Sequence, residues 1–166
     1  MKLAEALSLR KALESRVGQL TDLLVKTSWR YEGMEAEGAR SYGEVEQELL
    51  ETLGELEGLI IRINRTNVAT ALDFEGERLS IMEAIAQRDI IGRKIGALRQ
   101  SMQAMISALQ PDARRTYLFE REDAPRRVRT AVPVKDLEQR VNQLAARHRA
   151  LDVAIQAKGW QTDLVS

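Results

Sequence analysis

The residues best suited to bind a ligand form a polar block in one otherwise apolar stretch of the sequence, Ile61–Asn67. The block holds two amides, two guanidinium groups and one hydroxyl. Asn64 and Asn67 are three residues apart, which places them on one face of a helix. Such groups predict either a buried polar layer that fixes helix register or a ligand-binding cluster. The residues of this predicted site, which draws two members from further along the chain, are Asn64, Arg65, Asn67, Arg88 and Asp89.

Arginines near residue 120 form a second candidate site, for an anion or a partner protein. From Arg114 to Arg129 six arginines and three acidic residues give +3, whereas from Glu32 to Glu57 nine glutamates and one arginine give −8. These regions are ordinary solvated faces, or they pair with each other within or between copies, or the arginines contact nucleic acid or another anion. The neutral total charge argues against nucleic acid. The candidate contacts are Arg114, Arg115, Arg126, Arg127 and Arg129.

Most catalytic and metal sites are excluded by composition and spacing. The 166 residues include no cysteine and one histidine, His148, so a zinc finger or a cysteine nucleophile is excluded. Ala145 stands where a di-iron bundle enzyme needs glutamate, three residues before the histidine. Gly92 and Gly96 flank Lys94 with a spacing unlike that of a phosphate-binding loop. We therefore expect no catalysis, no cofactor and no metal.

Four long stretches with apolar residues at steps of three and four must position these groups. This period is typical of amphipathic helices, and at 24–29 residues each stretch spans roughly 36–44 Å. Long helices with a near-heptad seam indicate an antiparallel four-helix bundle or coiled coil. The chain is therefore expected to be a mainly α, single helical domain over residues 1–166. The predicted helices cover about 2–27, 44–71, 81–110 and 133–158.

The connections between these helices differ in kind. Asp73–Leu79, centred on Gly76, predicts a short link that makes helices two and three an antiparallel pair. Residues 28–43 are rich in glycine and glutamate, which predicts a mobile acidic loop. In the segment at about 114–132, residues 127–132 alternate with period two. This alternation predicts a small β-hairpin between helices three and four.

Four segments of the sequence resemble a small family of uncharacterised bacterial helical proteins sometimes labelled septicolysin. The most specific of them is Asn-Arg-Thr-Asn at residues 64–67. The resemblance implies an all-helical soluble protein and supplies no catalytic residue. The family label would imply a haemolysin-like activity, but no apolar run approaches the roughly 20 residues of a membrane span. The segments are Met1–Arg10, Ile61–Asn67, Leu79–Asp89 and Ile155–Leu164.

Surplus apolar residues on the first two helices indicate that the protein self-associates. They lie off the principal seams, where one neighbouring helix cannot cover them. We therefore expect a homo-oligomeric scaffold or protein-interaction protein, without a membrane partner. It is expected in the cytoplasm, because charged residues interrupt the first 30 residues where a signal peptide is apolar. The alternative is a binder of nucleic acid or another anion through Arg114–Arg129 together with Arg62 and Arg65. The surplus residues are Leu7, Leu9, Leu23, Leu53, Ile60 and Ile61.

Overall fold

The computed structural model describes residues 1–29, 40–110 and 128–165. Within these residues the fold is mainly α with four long helices, as the sequence predicts, and it includes a small two-stranded antiparallel sheet. The predicted helix ends lie within three residues of the observed ones. The elements in chain order are α1 (Leu3–Thr27), α2 (Tyr42–Ala69), β1 (Ala71–Phe74), β2 (Glu77–Ser80), α3 (Ile81–Leu109) and α4 (Val134–Gln161).

A capping box starts α2 two residues earlier than predicted. The Glu44 amide donates to Ser41 Oγ at 3.3 Å, and the Ser41 amide donates to the Glu44 carboxylate at 2.8 Å. These bonds satisfy amides that have no partner within the helix. The bonds from Ser41 also hold the pKa of Glu44 below its usual range, because they favour the charged carboxylate.

A β-hairpin joins α2 to α3 where the sequence predicted only the short link Asp73–Leu79. Ala71–Phe74 pairs with Glu77–Ser80 in antiparallel register. The two turn residues have positive φ, 51° at Glu75 and 84° at Gly76. Positive φ at both central residues is typical of the mirror-image turns that match strand twist. The turn therefore folds the chain back and delivers it into α3.

The hairpin predicted at about 114–132 lies outside the described residues except for 128–132, where no strand is present. Among the described residues, the sheet lies between α2 and α3. The centre of the acidic loop predicted at 28–43 is also outside the described residues, which omit 30–39.

The residues cluster into two compact units. The first unit comprises Met1–Met82 with Ile155–Ser166, and the second comprises Glu83–Ala154. Each has apolar residues buried at the predicted seams, and in the first unit α1 and α2 pack against each other. A single domain over residues 1–166 stays a prediction. The buried apolar seam residues are Leu3, Ala6, Leu20, Val45, Leu59, Ile63 and Ile81 in the first unit and Ile91, Ile95, Leu137, Val141 and Leu151 in the second.

Candidate functional site

The polar block in the last turns of α2 binds the end of the described chain. The Thr66 side chain is buried and accepts a hydrogen bond from the Val165 amide at 3.1 Å. It donates in turn to the Arg62 carbonyl at 2.8 Å. Arg62 Nε donates to the Val165 carbonyl at 3.0 Å. The side chains of Thr66 and Arg62 thus bind the amide and the carbonyl of Val165, respectively.

Residues 162–165, which we call the tail segment, also pair with residues 1–3. The Leu3 amide donates to the Thr162 carbonyl at 2.9 Å, and the Leu164 amide donates to the Met1 carbonyl at 2.9 Å. Lys2 Nζ lies 2.9 Å from Asp163 Oδ1; the Asp163 side chain is largely exposed and that of Lys2 is partly exposed. The Lys2 ammonium lowers the pKa of Asp163 by a hydrogen bond and by its charge. The polar block therefore anchors a small antiparallel pairing of chain segments.

The remaining members of the block have different environments. Asn64 and Arg65 are exposed on α2, whereas Asn67 is buried. The Asn67 Oδ1 atom accepts no hydrogen bond from the described residues. Leaving such a group unpaired costs roughly 1–3 kcal/mol. The block is therefore divided between the packed side of α2, with Thr66 and Asn67, and its solvent side, with Asn64 and Arg65.

Arg88 and Asp89, the predicted partners of the block, belong to the second unit and interact there. Arg88 donates to Asp89 Oδ1 from Nε at 3.1 Å and from a terminal nitrogen at 2.9 Å. Its other terminal nitrogen donates to Asp152 Oδ1 on α4 at 3.1 Å. The two carboxylates, chiefly that of Asp89, raise the pKa of the guanidinium group. The pairing of these residues with Asn64 and Asn67 stays a prediction.

One turn further along α3, the only histidine of the chain approaches a glycine. A Cβ added at Gly92 would lie 3.5 Å from Nε2 of His148. This is ordinary van der Waals contact, so the imidazole packs against α3 at Gly92, where a methyl group would also fit. His148 therefore occupies a packing position within the second unit.

The first half of α2 is acidic and is joined to α1 through Glu48. The Glu48 carboxylate pairs with both Arg16 of α1 and Arg40. These hydrogen bonds and charges hold the pKa of Glu48 below its usual range, with Arg16 the first cause. Exposed pairs of this kind contribute little to stability. They place Glu48 in the acidic half of α2 next to Arg16 of α1.

Of the candidate arginine contacts, only Arg129 lies within the described residues, where it is exposed. Arg114, Arg115, Arg126 and Arg127 lie outside them. The contact of this segment with an anion or a partner therefore stays a prediction.

The side of α2 that faces solvent carries a second heptad-like pattern that sequence reasoning overlooked. Its residues recur at steps of four and three, and all six are exposed. Three of them are large and apolar, with Leu50 62%, Ile61 42% and Val68 58% exposed. A spacing of seven from Ile61 to Val68 could have revealed the pattern, but the stronger buried seam of the same helix masks it. We call this set the outer face of α2: Leu50, Gly54, Glu57, Ile61, Asn64 and Val68.

Two classes of site are not found in the described part of the chain. There, no group of three or more histidine, cysteine, aspartate or glutamate residues is arranged to hold a metal ion. Among residues 1–29, 40–110 and 128–165, no helix combines the length and apolar character that crossing a membrane requires.

Comparison with known proteins adds a family and a fold. The profile of a family of unknown function, DUF6847, matches residues 10–164. The chain is also similar to a crystal structure described as a functionally unknown conserved protein from Corynebacterium diphtheriae. The two are 26% identical, the alignment covers 99% of each chain, and the TM-score is 0.79. A search of curated proteins gives no match. The overall fold is thus shared with a solved protein, and neither description assigns an activity.

Proposed function

The chain belongs to the DUF6847 family, whose function is unknown. From the side chains exposed on its surface, we propose that the protein is a self-associating helical scaffold or interaction protein. The observation that carries this proposal is the outer face of α2, where the large apolar side chains of Leu50, Ile61 and Val68 are exposed. Such residues are common singly on surfaces, but their alignment at heptad spacing is typical of a helix that packs against another.

Burial of these side chains supplies the energy for association. Fully burying a leucine, isoleucine or valine side chain contributes roughly 1.5–3 kcal/mol. Because Leu50, Ile61 and Val68 are 42–62% exposed, burying the rest of each contributes about half of that amount. Leu7 and Leu9 of α1 and Leu53 of α2, which the sequence marks as surplus apolar residues, are also 40–46% exposed. Leu23 and Ile60 are half-buried. A second copy of the chain that covers the outer face of α2 would remove the exposed parts of Leu50, Ile61 and Val68 from water.

The location and the relatives of the protein are supported by the sequence rather than by the outer face of α2. A cytoplasmic location is supported by the absence of cysteine, since secreted domains of this size often rely on disulfides. The resemblance to proteins labelled septicolysin supports a relationship between this chain and those helical proteins. We propose no lytic activity on that basis. No catalytic role is proposed.

The alternative, a binder of nucleic acid or another anion, depends on Arg62, Arg65 and the segment Arg114–Arg129. Arg62 is already engaged with Val165, which reduces what this group can offer a ligand. Binding through arginines predicts an affinity that falls steeply with salt. An electrophoretic shift of RNA or DNA that disappears at high salt would favour this alternative.

Light scattering coupled to size exclusion tests the proposal on the whole chain at micromolar concentration. We expect a mass of at least twice that of one chain. The change Ile61→Glu, which places a charge among the exposed apolar residues, is expected to shift the protein towards monomer. Gln19→Glu adds the same charge at an exposed position of α1 and is the matched control. A wild-type monomer at these concentrations would overturn the proposal.

A further inference from the structure

Charged residues flank the outer face of α2 in an order that distinguishes the two ways in which a second α2 can pack on it. Glu51, Gly58 and Arg65 are spaced by seven residues on one flank, and all three are exposed. On the other flank Glu46 is also exposed. Arg65 makes no ion pair within the described residues. The charge of the first flank therefore changes from negative at Glu51 through neutral at Gly58 to positive at Arg65.

Parallel pairing of two such helices places like charges together. In that arrangement a residue on one flank lies next to the residue that is five positions later in sequence on the opposite flank of the partner helix. Glu46 would therefore face Glu51 of the second copy. Glu57 would also meet its own counterpart in the seam. Like charges in such positions are destabilising. Parallel association through this face is therefore disfavoured.

Antiparallel pairing places opposite charges together, because the same flank of each helix then meets across the two-fold axis. We propose that two copies of the chain pair through antiparallel α2 helices, with Glu51 of each copy against Arg65 of the other. This inference rests on the proposed self-association and names its surface. The interface is isologous, so it closes as a dimer with no free end.

The same register aligns the apolar residues of the outer face. With Glu51 against Arg65, Leu50 of each copy lies opposite Val68 of the other, which gives an apolar layer at each end of the contact. Gly58 of the flank then lies beside the two-fold axis. A Cβ at Gly54 or Gly58 would meet nothing within 4 Å in one copy, so both positions leave space for a close approach of the partner helix.

Two features make this dimer weaker than a regular coiled coil. Glu57 occupies the seam opposite Ile61 of the second copy, where a charge must stay hydrated. The first unit also contains eleven basic and sixteen acidic residues, a net charge of −5, so two first units repel each other at long range. The apolar layers therefore supply the affinity, and the charged flank sets the direction.

Cross-linking of engineered cysteines tests the direction, because the chain has no cysteine of its own. Copies with Leu50→Cys are mixed with mass-tagged copies with Val68→Cys and treated with a short bismaleimide. Both positions are well exposed, 62% and 58%, so circular dichroism is expected to match that of the wild type. In the antiparallel dimer two copies of residue 50, or of residue 68, lie about 27 Å apart at 1.5 Å per residue. The cross-link is therefore expected only between the two variants.

The outcomes separate this inference from the proposed function. A cross-linked product of mixed mass, with none from either variant alone, supports the antiparallel dimer. Products from each variant alone indicate parallel helices and overturn it. Absence of any product from a mixture that light scattering shows to be associated overturns the inference but leaves self-association standing. A monomeric mixture overturns both. Val25→Cys, an exposed apolar position on α1, mixed with Leu50→Cys is the control and is expected to give no product.

Discussion

The two sides of α2 follow the same spacing but have opposite environments. On the packed side Val45, Thr52, Leu59, Ile63 and Thr66 are buried. On the outer face, residues spaced in the same way are exposed throughout. The first set is covered by the chain itself, and its member Thr66 binds the tail segment, whereas nothing among the described residues buries the second. Heptad spacing therefore identifies surfaces that pack, but it does not say whether the partner is the same chain or another copy.

The largest contrast between the two sides is expected for a pair of isoleucines two residues apart. Ile63 is 1% exposed and Ile61 is 42% exposed. Ile63→Ala removes buried methyl groups and leaves a cavity, so we expect the free energy of unfolding to fall by about 2–5 kcal/mol. Ile61→Ala is expected to change it by less than about 0.5 kcal/mol. Urea unfolding at a concentration low enough to keep the protein monomeric measures both, and equal losses would contradict the assignment of the two sides.

A smaller loss in the free energy of unfolding is expected when the Thr66 hydroxyl, which binds the tail segment, is removed. Thr66→Val keeps the shape of the buried side chain but removes the acceptor of the Val165 amide from a part-buried hydrogen bond, so the free energy of unfolding is expected to fall by roughly 0.5–1.5 kcal/mol. Thr66→Ser keeps the hydroxyl and is the matched control. Hydrogen exchange at the Val165 amide is expected to accelerate in the valine variant alone. Unchanged exchange in that variant would mean that Thr66 does not hold the tail segment.

The smallest effect on the free energy of unfolding is expected from the ion pair Lys2–Asp163, and it depends on pH. Lys2 lowers the pKa of Asp163 in the folded protein, so the pair stabilises the fold fully above the unfolded pKa of about 4. This contribution is lost as the pH falls through the lower, folded pKa. Asp163→Asn is expected to remove this part of the acid dependence of stability. NMR titration of the Asp163 carboxyl measures its pKa directly, and an ordinary value would rule out the pairing in solution.

The sequence predicted the helices well because their apolar residues repeat over many turns. It also contains the capping pair Ser41 and Glu44 in the spacing that starts a helix, so the true beginning of α2 was readable. The β-hairpin was harder, because Glu-Gly at residues 75–76 is a weaker turn signal than Asn-Gly or Asp-Gly.

The contacts of the polar block could not be predicted by local rules. Val165 and Thr66 are 99 residues apart in sequence, and no periodicity relates them. The same block was predicted to form one polar face from the spacing of Asn64 and Asn67. A difference of three residues on a helix tolerates one exposed and one buried side chain when the packed side ends between them, as it does here.

Sedimentation equilibrium of a charge swap tests most directly whether the outer face of α2 joins two copies. We expect the wild type to dimerise and Glu51→Arg and Arg65→Glu each to weaken the dimer severalfold, because each change creates two like-charge contacts worth roughly 0.2–1 kcal/mol apiece. The double variant Glu51→Arg with Arg65→Glu restores opposite charges and is expected to regain wild-type association. Equal association of all four proteins, or a double variant as weak as the single ones, would contradict the antiparallel dimer.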